Sequence, residues 1–180
     1  MTVQKRAPVE HHVFQKSDRV FLDANIWLFL YGPQQPKDKT EIYSDALNRM
    51  LTARSRIYVD LFVVSEMINS FARMRWRLNE TKRPFKKFRN SAEFIPIAEE
   101  IADYVRRIVK MCSRIENSYG EINVAGWMDE YETGGHDFND QVIRDLCKKR
   151  GWTILTDDGD FAAPGVSVLT ANCNLLQTRD

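Results

Sequence analysis

The stretch RVFLDANIWLFLYG, residues 19–32, reads as a buried strand running into a helix, yet it carries Asp23 and Asn25 in its middle. Burying a charged carboxylate without a partner is costly. Asp23 therefore needs an offsetting partner, or a place where the strand opens onto a solvent-filled cleft. RVFL (19–22) supplies the apolar strand, and ANIWLFLYG continues as a helix that stops at the turn signal of Gly32 and Pro33.

The same alternation continues downstream. Apolar residues at 42, 43, 46, 47, 50 and 51 give helical spacing over 38–53. RIYVD (56–60) reads as a second strand. The segment 61–78 reads as a helix, with Val63, Val64, Met67, Ile68, Phe71, Met74 and Leu78 at three-and-four spacing and Glu66 near its start. Residues 79–95 break the pattern. Residues 96–117 form a long amphipathic helix, opened by Pro96 and striped by Ile97, Ile101, Val105, Ile108, Cys112 and Ile115. A shorter helix over 121–132 precedes Gly134 and Gly135. DFNDQVIRDLCKKRG (137–151) is a helix with Lys148, Lys149 and Arg150 in its last turn and Gly151 as its stop. WTILT (152–156) and VSVLT (166–170) are strands on either side of DDGDF. Alternating helices and strands predict an α/β domain with a mostly parallel sheet.

The chain has 180 residues, enough for one domain with a sizeable core, and its 43% hydrophobic content excludes a disordered chain. A net charge of +1 does not announce a nucleic-acid binder, although local clusters still can. Cys112, Cys147 and Cys173 fit neither a disulfide framework nor a zinc motif, which points to a reducing compartment, the cytoplasm. The first residues lack the apolar core of a signal peptide, and the longest apolar run is too short to span a bilayer. Residues 1–17 read as a polar N-terminal extension. The adjacent His11 and His12 have no further Cys or His nearby, so a solvated tail stands against a metal pair.

In an open parallel sheet the ligand crevice lies outside the carboxyl ends of the strands. Asp23 follows RVFL directly, and Asp157 and Asp158 follow WTILT. Glu66 lies early in the helix after RIYVD, and Asp140 lies in the first turn of the helix before WTILT. Whether Asp140 meets the others depends on strand order, which the sequence does not fix. Four carboxylates in one cleft raise each other's pKa, and a hard divalent cation, Mg²⁺ or Mn²⁺, relieves them. Phosphodiester hydrolysis is the chemistry that best uses such a site. Each acid also has a plainer reading. Asp137 suits a helix cap, Asp140 the helix dipole, Glu66 a surface position, and Asp157, Asp158 and Asp160 a turn. Asn25 suits a cap or a hydrogen bond to Asp23 or the loop backbone.

FLDANIWL, VVSEMINSF, DFNDQVIRDLCKKRG and ILTDDGDF, in that order over most of residues 19–170, resemble the PIN domain, the fold of VapC-type toxin ribonucleases. The resemblance implies a three-layer α/β/α fold over 18–180, with a helical insertion at about 79–135. It places the family's four acids on Asp23, Glu66, Asp140 and Asp158, with Asp160 as a possible further metal ligand and Thr156 as the hydroxyl that orders the site. It implies an endoribonuclease dependent on Mg²⁺ or Mn²⁺, homodimers and, in toxin members, an antitoxin partner. The N-terminal extension and the longer helical region depart from compact toxins.

RMRWRLNETKRPFKKFR (73–89) gathers Arg73, Arg75, Arg77, Lys82, Arg83, Lys86, Lys87 and Arg89, with Trp76, Phe85 and Phe88 between them and only Glu80 opposed. The bases suit RNA phosphates and the aromatics suit unpaired bases. Equally, this is a solvated helix end whose aromatics enter the core. Two alternatives to the ribonuclease stay open: a catalytically inactive PIN-like RNA-binding or scaffold module, and a nuclease for DNA flap or single-strand structures.

Overall fold

Val20, Phe21 and Leu22 are consecutive, so they point to alternating faces of their strand, yet none is more than 1% exposed. A strand buried on both faces belongs in the interior of a parallel sheet covered by helices. The computed structural model describes residues 6–79, 83–115, 124–132, 137–162 and 165–177. In chain order the strands are β1 (Arg6–Pro8), β2 (Arg19–Leu22), β3 (Arg56–Val59), β4 (Ser113–Arg114), β5 (Thr153–Leu155) and β6 (Ser167–Thr170). The helices are α1 (Ala24–Tyr31), α2 (Lys37–Thr52), α3 (Leu61–Leu78), α4 (Phe85–Arg89), α5 (Ile95–Met111), α6 (Val124–Glu132), α7 (Phe138–Arg150) and α8 (Cys173–Gln177).

The sheet order is β1-β6-β5-β2-β3-β4. Every neighbouring pair is parallel, with Phe21 in register with Tyr58 on one side and Ile154 on the other. From β2 the chain first builds outward through β3 and β4, then returns to place β5 on the other flank of β2. The order therefore reverses between β2 and β5. Such a reversal splays the following loops apart and opens a crevice at the strands' carboxyl ends. Asp23 and Asp158 follow the two strands that border it.

α1 is apolar nearly all round, and Ala24, Ile26, Trp27 and Leu28 are buried where it packs against α2 and α3. α7 ends at Gly151, whose φ of 65° lies in the left-handed region where a side chain is strained. α3 occupies the predicted 61–78 span, capped by Asp60, whose carboxylate accepts from the Val63 N–H at 2.8 Å.

Several elements differ from expectation. The segment read as a polar extension contributes an edge strand: Arg6, Ala7 and Pro8 pair with β6, and Val9 and Phe14 enter the core. Residues 1–5 of that extension lie outside the described residues. The long helix predicted over 96–117 ends at Met111, and Ser113 and Arg114 pair with β3 as a sheet edge. α5 packs on α3 and leads straight into that strand, so this part of the helical region is a crossover of the sheet itself. α4, within the stretch read as a break in the pattern, and α8 have no counterpart in the sequence reading. The start of the helix predicted over 121–132, the Gly134 and Gly135 turn and Lys82 fall outside the described residues.

Candidate active site

Asp23 is 4% exposed, and its burial is offset by directed donors. It caps α1, its Oδ1 accepting from the Ala24 N–H at 2.6 Å. Its Oδ2 accepts from Asn25 Nδ2 and from the Thr156 hydroxyl, each at 2.7 Å. Desolvation nevertheless prevails and pushes its pKa up to about 6. The Thr156 and Ala24 bonds pull it down, while the charges of Glu66 and Asp158 push it further up.

Thr156, fully buried at the end of β5, links the two sides of the crevice. Its oxygen donates to Asp23 and accepts from Asn25 Nδ2 and the Asp158 N–H, both at 3.0 Å. Asn25 closes the ring, its Oδ1 accepting from the Asp157 N–H at 3.2 Å. Asn25 thus makes both hydrogen bonds weighed for it. The turn then tightens onto Asp158, whose Oδ1 accepts from the Asp160 N–H at 3.0 Å.

Asp140 lies in the first turn of α7, with Asp137 as the cap accepting from the Asn139 N–H at 2.8 Å. Its pKa rises to about 8, through burial first and then through the charges of Asp23, Asp158, Asp137 and Glu66. Glu66 is also raised, by burial and then by Asp137, Asp158 and Asp60, against a hydrogen bond from Asn139 that lowers it. Strand order thus brings Asp140 within the field of the other three acids. Lys39 holds Asp157, but no cation pairs with Asp23, Glu66, Asp140 or Asp158 among the described residues.

No three acidic, His or Cys side chains among the described residues stand ready-made as an ion cage. The donor set is all carboxylate oxygen and electrostatically unrelieved. It fits a hydrated Mg²⁺ or Mn²⁺ held by one or two direct carboxylates rather than an enclosing cage.

The other expected residues differ in exposure and in partners. Asp160 is exposed, two residues beyond Asp158, and its N–H donates to the Asp158 carboxylate. Arg75 is committed to both carboxylate oxygens of Glu100, at 2.7 and 2.8 Å, and Arg83 pairs with Glu93 at 2.8 Å. Phe88 is wholly buried against Phe94, so it presents no stacking face. Trp76 packs edge-on to Phe85 and donates to the Arg83 carbonyl. Arg73, Arg77, Lys86, Lys87 and Arg89 remain exposed and without an ion pair among the described residues; Arg73 and Arg89 lie over the Phe85 ring.

The sequence reading passed over Asp60, Asn139, Lys39 and Tyr43. Asp60 stood in plain view, because it follows β3 as Asp23 follows β2. The hydroxyl of Tyr43 and the ammonium of Lys39 reach Asp157 more than a hundred residues away, and no local pattern signals that.

The PIN domain family model matches residues 20–166. No curated protein matches the sequence. Among solved structures the chain is similar to VapBC2 from Rickettsia felis bound to a DNA fragment from their promoter. That likeness has a TM-score of 0.52 at 15% identity and covers 84% of this chain and 98% of that one, which speaks to fold alone. With the family model matched from β2 through β5, over well more than half of its length, the chain belongs to the PIN domain family.

Proposed function

We propose that this chain is a Mg²⁺- or Mn²⁺-dependent endoribonuclease that hydrolyses RNA phosphodiester bonds. The observation that carries the reading is that the pKa values of Asp23, Glu66 and Asp140 are raised by burial and by one another's and Asp158's charges, with no cationic side chain among the described residues to relieve them. Asp23, Asp140 and Asp158 would hold the ion, one or two of them directly and the rest through its waters, and Glu66 would hold it directly or through water. Once bound, the ion supplies an activated water and stabilises charge on the phosphoryl oxygens. Glu66, the most exposed of the four, orients that water. Thr156 and Asn25 fix the Asp23 carboxylate and the Asp158 turn relative to one another. Arg73, Arg77, Lys86, Lys87 and Arg89, just downstream of Glu66 in sequence, contact the RNA backbone.

We extend the proposal to a toxin role, with an antitoxin protein as partner, a homodimeric assembly and a cytoplasmic setting. The family membership and the structural likeness to a VapBC2 complex support it. No helix among the described residues is long and apolar enough to cross a membrane.

The test is cleavage of single-stranded RNA, and of its DNA counterpart, with Mn²⁺, with Mg²⁺ and with chelator. We expect metal-dependent RNA cutting that Asp23→Asn abolishes while circular dichroism stays unchanged. Full activity in that variant would overturn the assignment. Metal-independent RNA binding without cutting would favour a non-cleaving RNA-binding module.

A further inference from the structure

Behind the crevice, α2 holds the loop that carries Thr156 and Asp158. The backbone N–H, the carbonyl and one carboxylate oxygen of Asp157 are all engaged. Its N–H donates to Asn25 Oδ1 at 3.2 Å, and its carbonyl accepts from Asn172 Nδ2 at 2.7 Å. Its Oδ1 accepts from Lys39 Nζ at 2.7 Å and from the Tyr43 hydroxyl at 2.5 Å. Lys39 and Tyr43 stand one helical turn apart and bridge the same two loops. Lys39 Nζ also donates to the Ala171 carbonyl, and the Ala171 N–H donates to the Tyr43 oxygen, both at 3.0 Å. The loop after β5 and the loop after β6 are thereby fastened to one face of α2.

Mere adhesion does not need this chemistry. Ion pairs taken out of water contribute little net stability, and an apolar contact would hold α2 in place as well. Lys39 and Asp157 are only 22% and 15% exposed, and Tyr43 is fully buried. What a directed pair adds is a fixed backbone at Asp157, and hence at its two neighbours. It also keeps a fifth carboxylate paired with an ammonium beside a cluster that already carries too much negative charge.

We propose that Lys39 and Tyr43 are positioning residues that act through Asp157 to set the placement of Asp158 and Thr156 for metal binding. The inference rests on the metal-dependent reading above. The experiment compares wild type with Lys39→Met, Lys39→Arg, Tyr43→Phe, Asp157→Asn and the double variant Lys39→Met/Asp157→Asn. It reads Mn²⁺ affinity by calorimetry, kcat and KM for RNA, and amide hydrogen exchange across the sheet and the loop.

We expect Lys39→Met and Tyr43→Phe to bind Mn²⁺ about 10–100-fold more weakly, as loss of groups that orient metal ligands does elsewhere. kcat should fall with it while KM for RNA stays put. The Asp157 and Asp158 amides should exchange faster while sheet protection is retained. Lys39→Arg should restore most of each effect, and Lys39→Met should add nothing in the Asp157→Asn background. Unchanged loop exchange in folded Lys39→Met would overturn the proposal. So would loss of protection across the whole sheet in step with the loop, since the pair would then be only an anchor. If wild type binds no Mn²⁺, the nuclease reading fails by itself, and loop exchange still decides whether Lys39 and Tyr43 position Asp158.

Discussion

Burial first, and then the charges of Asp23, Asp158, Asp137 and Glu66, push the pKa of the Asp140 carboxyl up to about 8. Asp23 titrates near 6, chiefly through burial. Both values lie above those of the unfolded chain, so the folded state binds more protons across that interval. For these two groups, the stability of the metal-free protein is greatest below about pH 4 and falls as pH rises through both values. A divalent cation reverses the sign by favouring the ionised forms. Melting temperatures with chelator and with Mn²⁺ at pH 5, 7 and 9 should diverge steadily, with the largest metal-induced rise at pH 9. Asp140→Asn keeps the shape and removes one repelling charge. At pH 9 with chelator it should melt higher than wild type by about 2–4 °C, the shift that ~1 kcal/mol gives in a domain of this size. It should also lose metal-dependent cleavage. Thr156→Val removes a hydroxyl bonded to Asp23, Asn25 and Asp158, and should lower activity about 10–100-fold, with Thr156→Ser recovering most of it. Initial rates for the three proteins at saturating Mn²⁺ check this.

α3 carries Glu66 in its second turn, and the cap at its start fixes where that turn lies. Asp60 is 3% exposed and accepts from the Val63 N–H. Asp60→Ala should cost about 0.5–2 kcal/mol in urea unfolding, as loss of an N-cap does. At this scale the sequence was legible wherever periodicity was strong. α3 spans the predicted 61–78, and α7 runs between its Asp137 cap and Gly151 as read. Asp23, Glu66, Asp140 and Asp158 were each placed correctly on their local elements. What escaped were elements too short to carry a period. β4 is two polar residues, and β1 is an Arg-Ala-Pro triplet that becomes a strand only because β6 lies beside it. The interior fate of Phe88 was equally illegible, because an aromatic among basic residues suits a surface as well as a core. The Lys39, Tyr43 and Asp157 cluster joins residues more than a hundred positions apart and exists only after the sheet has closed.

On the scale of the molecule, strand order does what no single residue can. Had β5 been added beyond β4, Asp158 would stand at the far edge of the sheet from Asp23; inserted beside β2, it faces it. The N-terminal segment seals the opposite flank, where β1 covers the edge of β6 and Val9 and Phe14 fill the core beneath. Deleting residues 1–15 should therefore expose a sheet edge and an apolar face, lower the melting temperature and promote self-association. Light scattering and a thermal scan of the truncated chain read both effects. The placement of β5 also governs timing. The Thr156 hydroxyl that clasps Asp23 lies 133 residues downstream of it. As the chain emerges, Asp23 precedes that hydroxyl by all of α1 to α7. The buried carboxylate of Asp23 thus gains its hydroxyl partner only once β5 has docked beside β2, so the geometry at the crevice is a late product of sheet assembly.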